Sequence, residues 1–170
     1  MEDFHILALS GGGYRGLYTA QVLANIEEQL NCPVAQKFDL IAGTSIGGIL
    51  AIALALEIPA SEMVSLFMEE GEKIFSSQSK SFWGILKSKY SQDGLKNVLE
   101  KKFGDKTIGD LKHRVIIPTV NFTKGGPQII KTRHHETFVT DPTKKLVDVA
   151  LMTSAAPTVF PIHKTEYGDF

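Results

Sequence analysis

The run Gly43-Thr44-Ser45-Ile46-Gly47 constrains this chain most, because a short apolar stretch precedes it and a longer apolar stretch follows it. The pattern predicts a buried strand over 38–42 and a buried helix over 46–56. A serine between two glycines at such a turn can project its hydroxyl above the sheet edge, since the glycines avoid clashes with strand and helix. We interpret Ser45 as a candidate nucleophile, with the backbone N–H of Ile46 directed into the same site. The motif alone is weak, and a tightly packed turn in which Ser45 only caps the helix is the alternative.

A second glycine-rich turn, Ser10-Gly11-Gly12-Gly13-Tyr14-Arg15-Gly16, follows a predicted strand over 4–9. Successive glycines leave backbone N–H groups accessible, and such a loop can hold a developing oxyanion or a phosphate. We expect the N–H groups of Gly11, Gly12 and Gly13 to act in this way. Arg15 either braces the loop by bonding its carbonyl groups or contacts a phosphate, and bracing is the simpler interpretation.

The rest of the chain alternates strand and helix patterns. Helices are predicted over 17–30, 61–75, 94–103 and 146–152, and a hairpin joins strands over 115–122 and 128–132. This alternation predicts a single α/β domain over 1–170, with a mostly parallel central sheet flanked by helices. Both glycine-rich turns then follow parallel strands at their carboxyl ends, which is where ligands bind in open sheets.

The spacing Gly11-x-Gly13-x-x-Gly16 also fits a dinucleotide-binding loop, and Asp39 follows at roughly the distance expected of a ribose-binding acid. The position of Asp39 argues against this alternative. The acid should follow the second strand, whereas Asp39 precedes most of that strand and belongs to the opposite sheet edge. A serine turn follows the strand instead.

Composition narrows the function classes. The chain has 170 residues and a net charge of about −1, so no overall field favours nucleic acid. Cys32 is the single cysteine, which excludes an internal disulfide. The N-terminus lacks the pattern of a signal peptide, and the longest apolar run is well short of the ~20 residues that a membrane span needs. We expect a cytoplasmic protein that is at most peripheral at the inner membrane surface.

Taken together, Gly-Gly-Gly-x-Arg-Gly and the later Gly-x-Ser-x-Gly resemble the patatin-like phospholipases. The segment Ser154-Ala155-Ala156-Pro157-Thr158-Val159-Phe160-Pro161 is similar to a third motif of that family. The resemblance implies a patatin-like three-layer fold and phospholipase A-type hydrolysis of membrane phospholipids, without a cofactor or metal. It further implies a Ser–Asp dyad in which Ser45 attacks the ester. The spacing looks most like bacterial members, some of which are antiphage effectors that a cyclic nucleotide activates. We expect any nucleotide-sensing region to lie beyond residue 170.

One family element is missing. The aspartate of the dyad lies in an Asp-Gly-Gly or Asp-Gly-Ala turn, whereas this chain ends Glu166-Tyr167-Gly168-Asp169-Phe170. Either the aspartate lies further on in a longer protein, or Asp169 serves. We expect the 170 residues alone to be nearly inactive, because a serine without a base is a poor nucleophile. A catalytically silent binding or regulatory protein on the same scaffold is the main alternative.

Two further regions of the sequence allow more than one interpretation. Residues 132–136, Thr-Arg-His-His-Glu, lack helical zinc spacing and are interpreted as a solvated polar loop, and His163 could approach the serine. Residues 76–90 mix aromatic residues with lysines, which suits either a lid at a membrane interface or ordinary packing on the core.

Overall fold

The computed structural model describes residues 3–75, 92–156 and 160–170. The predicted segment 76–90 lies outside the described residues. Strands and helices alternate at the start of the chain, as the sequence pattern predicts, and two more helices and a strand hairpin follow. In chain order the elements are β1 (Ile6–Leu9), α1 (Gly16–Leu30), β2 (Leu40–Gly43), α2 (Ile46–Ala55), α3 (Ala60–Phe75), α4 (Gln92–Phe103), β3 (Val115–Asn121), β4 (Gly126–Lys131), α5 (Leu146–Ser154), β5 (Lys164–Thr165) and β6 (Gly168–Asp169).

The main sheet has the strand order β1-β2-β3-β4. The first three strands run parallel, with Ala8 opposite Ala42 and Ala42 opposite Ile116. Strand β4 returns antiparallel to β3 as a hairpin, with Ile117 opposite Ile130. The predicted α/β class, with a mostly parallel sheet flanked by helices, is confirmed.

Helix α2 forms the centre of the core. All ten of its residues are buried, because it packs against β2, β3 and α5. Each large aliphatic side chain removed from water in this way contributes roughly 1.5–3 kcal/mol. Since side chains alternate across a strand, Ile117 and Ile130 face this core, whereas Ile6, Val120 and Ile129 are exposed on the other face of the sheet.

A short hairpin of β5 and β6 was not predicted, because its two-residue strands leave no periodic pattern. It docks beside the carboxyl end of β3: the Phe122 N–H donates to the Asp169 carbonyl at 2.7 Å. The Asp169 N–H donates to the hydroxyl of Thr123 at 3.0 Å. The hairpin thereby lies at the sheet edge that also carries Ser45.

None of the helices in the described parts of the chain combines the length and apolarity needed to span a bilayer.

Candidate active site

Ser45 occupies a sharp turn between β2 and α2. Its backbone has φ 55° and ψ −127°, a conformation that a non-glycine residue adopts only when its surroundings enforce it. Such strain costs on the order of 1–3 kcal/mol. Two hydrogen bonds close the turn, from Gly47 N–H to the Thr44 carbonyl at 2.9 Å and from Gly48 N–H to the Ser45 carbonyl at 2.8 Å. The side chain is half-buried, so the hydroxyl is within reach of a ligand.

The two motif glycines are required by close backbone approach. A Cβ added at Gly43 would lie 2.1 Å from the carbonyl oxygen of Gly47. A Cβ added at Gly47 would lie 2.2 Å from the carbonyl oxygen of Leu9. Both neighbours are backbone atoms that cannot rotate away, so the turn and β1 can be this close only when these positions lack side chains.

The glycine loop after β1 lies directly against the serine turn. A Cβ added at Gly11 would lie 3.2 Å from the Ser45 Cβ, and Gly13 has a φ of 59°, in the left-handed region. Within the described residues, the N–H groups of Gly11, Gly12 and Ile46 have no hydrogen-bond acceptor. The N–H groups of Gly11 and Ile46 therefore lie beside the candidate nucleophile Ser45, and within the described residues these predicted oxyanion donors are available to an incoming oxygen.

Arg15 lies on the outer side of this loop. Its Nε–H donates to the carbonyl of Gly12 at 3.4 Å, which is a long bond of the bracing kind. The guanidinium is exposed and belongs to the lining of an apolar groove of about 470 Å³ that also includes Leu17, Tyr18 and Met68.

Thr153, near the end of α5, is a site residue that the sequence did not reveal. Its hydroxyl accepts a hydrogen bond from the backbone N–H of Ser45 at 2.9 Å and donates one to the Pro118 carbonyl at 2.8 Å. Thr153 is only 8% exposed. It therefore connects the strained serine to β3. The only sequence signal is its position beside the Ser154–Pro161 motif.

The site also needs a general base that accepts the proton of the Ser45 hydroxyl. Across the parts of the chain that the structure describes, the Ser45 hydroxyl has no hydrogen-bond partner. Asp169 is half-buried in β6, at the same sheet edge as Ser45, and its proposed role as the base stays a prediction. His163 instead pairs with Asp148 at 3.1 Å, about one and a half helical turns back along α5 from Thr153.

The structure places Asp39 at the sheet edge opposite the glycine loop. One of its carboxylate oxygens accepts the backbone N–H of His5 at 2.8 Å, at the start of β1. That location is far from a ligand held by the loop and agrees with the argument against a dinucleotide site. Among the described residues, no group of three or more His, Cys, Asp or Glu side chains is arranged to hold a metal ion.

Known proteins are similar to this sequence over all or nearly all of its length. It is 53% identical to a cGAMP-activated phospholipase of Pseudomonas aeruginosa, in a match that covers all of this chain and 52% of that protein. It is 41% identical to a cGAMP-activated phospholipase of Vibrio cholerae, over 95% of this chain and 50% of that protein. The chain thus spans about half the length of the curated relatives that it matches.

Solved structures share the fold. VipD from Legionella pneumophila matches with a TM-score of 0.59 at 14% identity, over 99% of this chain and 45% of that one. A chain of the SpcU–ExoU complex of Pseudomonas aeruginosa matches with a TM-score of 0.57 at 18% identity, over 93% and 39%. The family model for patatin-like phospholipases matches residues 7–169. Both the sequence motifs and this match lead to one assignment: the chain belongs to the patatin-like phospholipase family.

Proposed function

We propose that Ser45 is the nucleophile of a serine acyl hydrolase that cleaves carboxylic esters of membrane phospholipids. The Ser45 oxygen attacks the ester carbonyl carbon while its proton passes to a base, which is Asp169 or an aspartate beyond residue 170. The C–O bond to the leaving alcohol then breaks, and the alcohol takes up the proton. Water cleaves the resulting acyl-enzyme and releases the fatty acid.

One observation carries this proposal: the strained serine turn and the glycine loop are in contact, and N–H groups of both have no acceptor within the described residues. The carbonyl oxygen of a bound ester gains negative charge during attack, and the N–H groups of Gly11, Gly12 and Ile46 would donate to it. Gly13 has a φ of 59°, a left-handed backbone conformation that glycine adopts without strain. Each well-placed donor of this kind lowers the barrier by roughly 3–4 kcal/mol.

The surroundings support a lipid substrate. The apolar groove beside Arg15 opens next to the glycine loop, and it presents Tyr18 at 76% and Met68 at 67% exposure. A groove of this character suits an acyl chain or the surface of a bilayer. Arg15, besides bracing the loop, could contact the phosphate of the headgroup. A peripheral location on the cytoplasmic face of the inner membrane follows from this proposal.

Control by a cyclic nucleotide is part of the proposal, since the relatives described above carry the name cGAMP-activated phospholipase. A role in antiphage signalling follows from the same resemblance. The expected nucleotide-sensing region beyond residue 170 stays a prediction, because the described residues end at Phe170.

A fluorophosphonate probe tests the nucleophile, since it labels only a serine that is activated for acyl transfer. We expect labelling of the full-length protein in the presence of cGAMP and release of fatty acid from phospholipid vesicles, with both lost in Ser45→Ala. The matched control is Ser65→Ala, an exposed serine on α3 whose hydroxyl, within the described residues, donates only to the Ser61 carbonyl. Labelling that survives Ser45→Ala would refute the assignment.

A silent regulatory protein on the same scaffold is the second candidate. This candidate is supported by one observation: the Ser45 hydroxyl has no hydrogen-bond partner among the described residues. The 170 residues alone should hydrolyse esters only slowly, and rapid turnover by this piece, lost in Ser45→Ala, would contradict that expectation. Absence of labelling in the full-length protein with cGAMP present would support the silent alternative and refute the hydrolase.

A further inference from the structure

The edge of the sheet opposite Ser45 carries a cavity of about 560 Å³. It forms where β3 begins and β4 ends, two points that the antiparallel pairing brings together. The Thr132 N–H donates to the Val115 carbonyl at 3.3 Å, and the Val115 N–H donates to the Thr132 hydroxyl at 3.0 Å. The volume of the cavity lies within the range of ~300–1,000 Å³ that is typical of small-molecule sites.

The lining of this cavity is strongly basic, although the chain as a whole has a net charge of about −1. Lys112 and Arg114 line it from before β3, and Arg133, His134 and His135 line it from after β4. Glu136 is the sole carboxylate among the lining residues that the structure describes. Positive charge is therefore concentrated here.

Two of these cations are available to a ligand. Lys112 and His113 both contact the Glu57 carboxylate, at 2.6 and 3.2 Å, and are already paired. Arg114 and Arg133 are exposed, and neither has a carboxylate partner within the described residues. Two guanidinium groups on facing ends of a hairpin are thus unneutralised.

The pKa of the adjacent His134 reflects the same positive charge. Burial lowers the pKa of the His134 imidazole, and the positive charges of Arg114, Lys131 and His135 lower it further. His134 is oriented by a 3.1 Å contact between its Nδ1 and the Thr132 hydroxyl. As a neutral ring it presents a hydrogen-bonding nitrogen without adding charge.

We propose that this cavity binds a small soluble ligand that carries phosphate or phosphodiester groups, with Arg114 and Arg133 as its phosphate contacts. The planar guanidinium matches a phosphate with two parallel hydrogen bonds, which a point charge cannot do. The volume is sufficient for a nucleotide. This inference deepens the control by a cyclic nucleotide proposed above, and it rests on that proposal for the identity of the ligand. It also places phosphate recognition within the 170 residues instead of beyond them.

Binding to the full-length protein tests the site without relying on hydrolysis. Calorimetric titration with cGAMP, with ATP and with phosphatidylglycerol vesicles would compare wild type, Arg114→Gln, Arg133→Gln and the double variant. Each charged bidentate contact should be worth about 10-fold to 100-fold in affinity. We expect each single variant to weaken cGAMP or ATP binding to that extent and the double variant to abolish it. Lys101→Gln, which removes an exposed charge on α4, should bind like wild type.

The outcomes separate this proposal from the previous one. Nucleotide binding that both arginine variants retain would overturn the site while leaving nucleotide control standing. Binding of vesicles alone, or of none of the probes, would also overturn it. Arginine-dependent nucleotide binding in a protein whose Ser45 resists the fluorophosphonate probe would support the site and refute the hydrolase.

Discussion

Replacing Thr153 by valine should impair the function of Ser45 without changing the serine side chain itself. Valine keeps the shape of threonine but removes the hydroxyl, so the Ser45 N–H loses its acceptor and the Pro118 carbonyl loses its donor. Each hydrogen bond contributes a net ~0.5–1.5 kcal/mol, so the free energy of unfolding should fall by about 1–3 kcal/mol.

The effect on chemistry follows from the strain at Ser45. Its backbone is held at φ 55° against a cost of about 1–3 kcal/mol, which is comparable to the energy of the bonds that Thr153 supplies. Without them the turn relaxes part of the time toward conformations that misdirect the hydroxyl. Since about 1.4 kcal/mol corresponds to a factor of ten, the rate of fluorophosphonate labelling should fall roughly 10-fold to 100-fold.

Two comparison variants separate positioning from stability. Thr153→Ser keeps the hydroxyl and should recover most of the labelling rate. Thr119→Val also removes a buried hydroxyl, 6% exposed and bonded to the Gln128 carbonyl at 2.8 Å, without any hydrogen bond to Ser45. It should lower stability but leave labelling of the folded protein unchanged.

The assay is single-exponential labelling under excess probe, with unfolding followed separately in urea. On a phospholipid substrate, kcat should fall while KM changes little, because the buried Thr153 hydroxyl is engaged by the Ser45 N–H and the Pro118 carbonyl. A Thr153→Val protein that labels at the wild-type rate would refute the positioning role. A decrease in labelling rate that Thr119→Val reproduces would refute the positioning role as well.

Three further variants probe other contacts. Gly47→Ala would place a Cβ 2.2 Å from the Leu9 carbonyl oxygen and should lower the free energy of unfolding by about 1–3 kcal/mol. Gly126→Ala should leave this free energy unchanged, because nothing lies within 4 Å of an added Cβ at that position. Urea denaturation of the two variants tests the difference. The Ser154 hydroxyl is buried without a hydrogen-bond partner in the described region. Ser154→Ala should therefore raise the free energy of unfolding by up to about 1 kcal/mol. A clear decrease of this free energy in urea denaturation would contradict the prediction. Hydrogen bonding to Lys112 lowers the pKa of the Glu57 carboxyl from 4.5 to about 2, so its contribution is present above pH 4.5 and is lost as the pH falls toward 2. Glu57→Gln should flatten the decline of thermal stability over that pH range, and an unchanged decline would show that other groups cause it.

The sequence allowed much of the fold to be predicted because its signals are local. The apolar runs before the two glycine-rich turns predicted β1 and β2, and the uninterrupted apolar run after Ser45 predicted the buried helix α2. The short hairpin of β5 and β6 was missed, since two-residue strands are stabilised by contacts with Phe122 and Thr123, not by their own pattern.

The sequence by itself determined that a serine turn and a glycine loop follow neighbouring strands, because steric limits at glycines and periodic burial act over a few residues. Only the tertiary structure decided what surrounds them. The hydrogen bond between Ser45 and Thr153 spans 108 positions of the chain. Arg114 and Arg133 line the same cavity only because β3 and β4 pair. Such contacts depend on how the sheet is assembled, and no local pattern encodes them. They determine both how the strained serine is held and where phosphate recognition is proposed.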